Sequence, residues 1–291
     1  MGNKLIYEFS SHKTDGDASL NNLLGGKGAN LAEMSKLGIE VPPGFTITTE
    51  ACNYFSKNKH LPEGLKEEIT SSVSLLESYS EKRFGAGGSP LLLSVRSGGT
   101  ISMPGMMDSI LNIGVNDENV NDLAEAFDDE RFALDSYRRL IQMYSNVVLG
   151  VEHERFEAVI ANKKRMDDVV SDADFNIDQL HWIINAYKNT VERFTNSPFP
   201  QDPYEQLIGA IEAVFLSWQN KRAKTYRKIN NIPDSLGTGA TVQTMVFGNL
   251  NDKSGTGVAF TRNPSSGIKE LYGEYLINAQ GEDVVAGIRT P

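Results

Sequence analysis

The sequence predicts a mixed α+β fold in which a helical stretch interrupts a strand-bearing body. Three observations carry this. Residues 91–95 form a short unbroken apolar run, the mark of a buried strand. From about residue 118 to 228 glycine becomes scarce and apolar residues recur at helical spacing. After Gly237, short apolar segments separated by glycine-rich turns return.

In chain order, residues 4–9 read as a strand and residues 24–30 as a glycine loop. A helix follows the loop, with Leu31, Met34 and Leu37 on its stripe and Gly38 as its stop. Residues 41–49 look extended, entered through Pro42 and Pro43. Residues 63–83 place Leu65, Ile69, Val73 and Leu76 on one helical face. Two helical patterns lie at residues 132–148 and 180–194, and Pro198, Pro200 and Pro203 then break the chain. A single long helix is expected over residues 204–228. Strands are expected at 240–247, 256–262 and 272–279. The domain expectation is a body of residues 1–112 plus 198–291 carrying a helical subdomain at 113–197.

A chain of 291 residues, 40% hydrophobic and 23% charged, can bury a sizeable core and is neither disordered nor fibrous. Its net charge of −10 argues against nonspecific nucleic-acid or anionic-membrane binding, though a local basic pocket is compatible with it. No stretch is long and apolar enough to suggest a membrane span, and the N-terminus lacks a signal-peptide core. Cys52 is the one cysteine, so the expected setting is a reducing compartment, the cytoplasm. The chain ends at Pro291 just after a strand-like run, which reads as a cut end.

Four segments can carry chemistry. In Gly25-Gly26-Lys27-Gly28, glycines let backbone N–H groups approach phosphate and Lys27 adds a charge. The GxxxxGK[ST] and GxGxxG patterns are not met, and a helix entry with a solvated lysine explains the loop equally well. Arg96 ends the buried strand in Arg96-Ser97-Gly98, where a guanidinium suits phosphate or a neighbouring carboxylate. Met103-Pro104-Gly105-Met106-Met107 is an adaptable apolar loop, suited to closing over a ligand or to filling the core. The acidic turns near Glu274 and Glu282-Asp283 could hold Mg²⁺ or be plain turns. His12, His60, His153 and His181 sit outside any catalytic context and read as structural or surface residues.

Together these segments resemble the pyruvate, phosphate dikinases. The resemblance rests on residues 23–34, on Ser94-Val95-Arg96-Ser97 through Asp108, and on Asp135-Ser136-Tyr137-Arg138-Arg139. It continues in Val242-Gln243-Thr244-Met245-Val246-Phe247-Gly248-Asn249, in residues 254–264 and in residues 273–285, all in family order. It implies an ATP-grasp-like nucleotide-binding domain with a helical insert. The family interconverts ATP, pyruvate and phosphate with AMP, phosphoenolpyruvate and pyrophosphate, using Mg²⁺ and a phosphohistidine on another domain. Lys27 and Arg96 are implied phosphate contacts with catalytic roles. Gln243, Thr244, Met245 and Val246 would border the adenine, and Glu282 would lie near the triphosphate. Arg222, Ser265 and Glu274 are expected to face the phosphohistidine domain of the same full-length chain. No metal ligand is expected within this sequence, because the family's metal-holding segment would follow Pro291. The histidine loop and the pyruvate-binding barrel are also absent, so the chain alone is expected to be inactive. A homodimer is expected for the full-length protein. Water dikinases and related phosphotransferases, or a noncatalytic nucleotide-binding module, are the competing readings.

Overall fold

The computed structural model describes residues 4–85 and 87–285. β1 (Ile6–Phe9) leads through a 3₁₀ turn into α1 (Asn21–Lys36), β2 (Gly44–Ile47), α2 (Thr49–Asn58) and α3 (Leu65–Ser80). The short β3 (Arg83–Phe84) and β4 (Pro90–Leu91) precede β5 (Leu93–Gly99) and β6 (Ser109–Ile113). Helices then run without a strand: α4 (Val120–Phe127), α5 (Glu130–Val147), α6 (His153–Asp167), α7 (Ile177–Thr195), α8 (Pro203–Ser217) and α9 (Lys221–Ile229). β7 (Thr238–Thr244), β8 (Gly255–Phe260), β9 (Tyr272–Ile277) and α10 (Gly281–Val285) complete the described chain. The architecture is therefore α+β.

Polar residues before the helices explain several starts. Thr48, Asp129, Asn176, Asp202 and Asn220 each accept a backbone N–H of the helix they precede. Each such cap is worth about 1 kcal/mol. Two expectations need correction here. The glycine loop at 24–30 is absorbed into α1, and only Gly25, at φ 69°, breaks the helix. The single helix over 204–228 is two helices. Asn220 caps the second one, and the Trp218 carbonyl is taken by Arg227 Nη1 at 2.5 Å.

The central sheet has the order β1-β2-β7-β5-β6 and is antiparallel throughout. Its register sorts side chains between two faces. Phe45, Val242, Val95 and Ile110 lie across from one another and are fully buried, and α8 packs on β5, β6 and β7. The same register lines up Thr46, Thr241, Arg96 and Ser109 on the other face. A polar row thus crosses four strands. α1 covers one end of that row: Gly28 lies so close to Thr46 that an added Cβ would sit 2.6 Å from its hydroxyl.

α5 joins the helices to the sheet, packing on α4, α6, α7 and β6. β8 and β9 form a separate antiparallel hairpin. A hydrogen bond of 2.6 Å from Thr256 Oγ1 to the Ala279 carbonyl ties the start of β8 to the turn after β9.

Candidate functional site

The uncovered end of the polar row opens into a cleft of about 590 Å³. Arg96 and Ser109 come from the sheet, Met143 from α5, Met245 and Val246 from the segment leaving β7, and Gln280 from the turn before α10. The cleft therefore lies between the large sheet, the helices and the hairpin side. One part is apolar and one part offers hydrogen-bond donors.

Arg96 follows the buried run that sequence marks as a strand, so its stem is held by β5. Its guanidinium makes no hydrogen bond or ion pair within the described protein, and burial lowers its pKa. Lys27 approaches from α1. Gly25 and Gly98 make this possible: a Cβ on Gly25 would collide with the Gly98 carbonyl oxygen, so α1 can lie directly on β5 only with glycine there. Lys27 Nζ donates to the Ser97 carbonyl at 2.9 Å. Burial, then the positive charge of Arg96, pull its pKa down to about 8. Two partly buried cations thus sit near each other with no carboxylate partner in the described protein. That arrangement is unfavourable alone and favourable around an anion.

The four residues expected to border a base divide into two pairs. Met245 and Val246 line the cleft. Gln243 Nε2 donates to the Pro42 carbonyl at 2.9 Å and Thr244 Oγ1 to the Pro43 carbonyl at 3.1 Å, so these two side chains are held outside it. Glu282 lies on α10, and its side chain is outside the described residues. Arg222 is an exposed residue of α9 whose Nη2 meets Asp108 Oδ1 at 2.9 Å. Ser265 lies in an exposed turn, where its N–H donates to Asn263 Oδ1. Glu274 is exposed on β9 and accepts from the Tyr272 hydroxyl.

Sequence reasoning missed three kinds of residue. Ser109 and Met143 reach the cleft only through strand register and helix packing. Gln280 lies just before the acidic pair Glu282-Asp283, and nothing in the sequence singles it out. The segment from Asp135 to Arg139 drew notice without a role. In the structure Asp135 is a buried hub, bound by Arg138 Nε at 2.7 Å and Arg139 Nε at 2.9 Å. Burial would raise its carboxyl pKa, but the two guanidinium charges hold it far below the ordinary range. Arg139 Nη1 continues to Asp283 Oδ1 at 3.3 Å, and Asp283 Oδ2 accepts the backbone N–H of Gln280 at 2.9 Å. Helix α5 is thereby clasped to the turn that borders the cleft.

Among the described residues no three His, Cys, Asp or Glu side chains converge to hold a metal. No described carboxylate lines the cleft either. The described donor set does not fit a protein-held Mg²⁺. No described helix is long and apolar enough to cross a membrane.

A family model for the pyruvate phosphate dikinase AMP/ATP-binding domain matches residues 21–83 and 57–291. The chain is 54% identical over 289 residues to the pyruvate, phosphate dikinase of Rhizobium meliloti (strain 1021), covering 99% of this chain and 32% of that protein. It is 52% identical over 290 residues to the pyruvate, phosphate dikinase of Clostridium symbiosum, covering 99% and 33%. The match to pyruvate, phosphate dikinase 1, chloroplastic, of Oryza sativa subsp. japonica is 51% over 289 residues, covering 99% and 30%. The chain thus spans about a third of the length of these relatives.

Proposed function

This chain belongs to the pyruvate phosphate dikinase AMP/ATP-binding domain family, and from that premise we propose that the cleft beside Arg96 binds ATP for transfer of a phosphoryl group to a histidine on another domain. The observation that carries the reading is the pair of partly buried cations without a carboxylate partner among the described residues. Arg96 faces the polyphosphate directly. Lys27 reaches it by exchanging the Ser97 carbonyl for a phosphate oxygen. Met245 and Val246, with Met143 opposite, offer the base an apolar bed. Preorganised cations of this kind stabilise charge that shifts during phosphoryl transfer.

The fold we propose is ATP-grasp-like, with the body at residues 1–112 and 198–291 and a helical subdomain at 113–197. The whole enzyme would interconvert ATP, pyruvate and phosphate with AMP, phosphoenolpyruvate and pyrophosphate, act as a homodimer and work in the cytoplasm. Mg²⁺ would enter on the nucleotide and neutralise its phosphates. Arg222, Ser265 and Glu274 would meet the phosphohistidine domain. None of the four histidines stands in a glycine- and threonine-rich carrier loop, so this chain alone forms no phosphoenolpyruvate.

Calorimetry with ATP, AMP and pyruvate tests the reading. Saturable binding of ATP and AMP with no heat from pyruvate is expected. A chain that binds neither nucleotide refutes it.

A further inference from the structure

Gln280 is 5% exposed, lines the cleft, and has a side-chain Nε2 with no hydrogen-bond partner among the described residues. A buried amide donor left unpaired disfavours the unliganded fold. The surrounding backbone leaves it little freedom to escape. Its own N–H is bound by Asp283 Oδ2 at 2.9 Å. One residue earlier, the Ala279 N–H donates to the Gly248 carbonyl at 2.9 Å and the Ala279 carbonyl accepts from Thr256 Oγ1 at 2.6 Å. Gly248 has no room for a Cβ, which would run into that same carbonyl and hydroxyl. Asp283 is in turn bound by Arg139 from α5. The turn is therefore pinned on three sides while its one side-chain donor stays unused. A rigid donor facing a cleft is what a ligand acceptor needs.

Which part of a ligand would supply the acceptor follows from the neighbours. The cations of the site belong to β5 and α1. Gln280 instead sits by Gly248, three residues after Met245 on the segment that forms the apolar wall. An uncharged donor there suits an uncharged acceptor. We propose that Gln280 donates its side-chain N–H to the nucleoside part of the bound nucleotide, the part common to ATP and AMP. The inference rests on the nucleotide reading above.

The test uses this chain with Gln280→Met, which keeps the side chain's length and removes the donor, and with Gln280→Leu, which also removes it and adds no charge. Calorimetry measures ATP and AMP affinities, with Arg96→Met as the contrast. Loss of one neutral hydrogen bond is expected to weaken both nucleotides alike, by about fivefold. That loss is also expected to be indifferent to salt, whereas the Arg96→Met loss falls mainly on ATP and shrinks as salt rises. Unchanged affinity for both nucleotides in either folded variant overturns the inference, and so does a loss confined to ATP. Gln280→Leu decides the matter if Gln280→Met does not fold. If the unaltered chain binds neither nucleotide, the nucleotide reading itself fails and takes the inference with it.

Discussion

Arg96 is a partly buried cation without a partner among the described residues, and that makes its removal unusually informative. Most buried arginines are held by carboxylates, so truncating them leaves an orphaned charge and destabilises the fold by about 3–5 kcal/mol. Arg96 leaves no such orphan among the described residues. Arg96→Met preserves the stem packed along β5 and deletes a charge that burial disfavours. The stability of the unliganded chain is therefore expected to stay level or to rise by about 1 kcal/mol. ATP affinity moves the other way. A charge-assisted hydrogen bond to phosphate is worth about 1.5–3 kcal/mol, so losing one weakens ATP binding roughly ten- to a hundredfold. AMP, with fewer phosphates, is expected to lose less. Urea unfolding and calorimetry on the same preparations separate the two effects. A variant that binds ATP like the parent and unfolds more easily would show that Arg96 serves the fold, refuting both halves of the reasoning. In the longer enzyme, the same change is expected to cripple histidine phosphorylation by ATP and spare exchange between pyruvate and phosphoenolpyruvate.

Lys27 has its pKa lowered to about 8, so it titrates in the folded chain well before it does when unfolded. The unfolded chain then holds more protons between about pH 8 and the ordinary lysine value near 10.4, and stability relative to Lys27→Met rises with pH across that window. ATP restores the charge, so binding in the lower part of the window is expected to take up a proton, seen as a buffer-dependent calorimetric heat that Lys27→Met lacks. Gly25→Ala forces both a positive φ and a collision with Gly98, so a loss of several kcal/mol in urea unfolding is expected, against about 1–2 kcal/mol for Gly38→Ala, which shares the positive φ but meets nothing. Asp135→Asn leaves two guanidiniums without their shared carboxylate and is expected to cost about 3–5 kcal/mol. Because the folded pKa of Asp135 is depressed, its contribution is present above the ordinary carboxylate value near 4 and fades as pH falls below it, so the parent and Asp135→Asn unfolding curves converge in acid. In the longer enzyme, Arg222→Glu with Glu274→Arg is expected to slow phosphoryl transfer while leaving the thermal midpoint in place; an unchanged rate removes both residues from the docking face.

Much of this molecule was legible in one dimension because its causes are local. Within the apolar run at 91–95, Leu93, Ser94 and Val95 open β5 and are fully buried, but Leu91 pairs in the short β4 instead, and Arg96 continues β5 to Gly99 rather than ending it. Leu65, Ile69, Val73 and Leu76 mark α3 by their spacing alone, because a helical stripe repeats every three or four residues. The glycines at 25, 26 and 28 announced a close approach, and Lys27 among them announced a charge near it. What they approached was not legible. Gly25 meets Gly98, and Lys27 meets Ser97, because α1 lies on a strand about seventy residues away. The polar row joins Thr46, Thr241, Arg96 and Ser109 from four separated segments, and only strand register puts them on one face. Register likewise sent Gln243 and Thr244 to the Pro42 and Pro43 carbonyls while their neighbours Met245 and Val246 went to the cleft. Met143 and Gln280 became wall residues through α5 and its clasp to Asp283. Composition and periodicity are properties of neighbours along the chain, so the sequence alone marked α3, α5, α7 and the late strands and singled out the two cations, but not the break between α8 and α9 or the helical start of the glycine segment. Which groups share a cavity, and which remain unpaired inside it, depends on contacts between distant segments, and tertiary packing alone decided that.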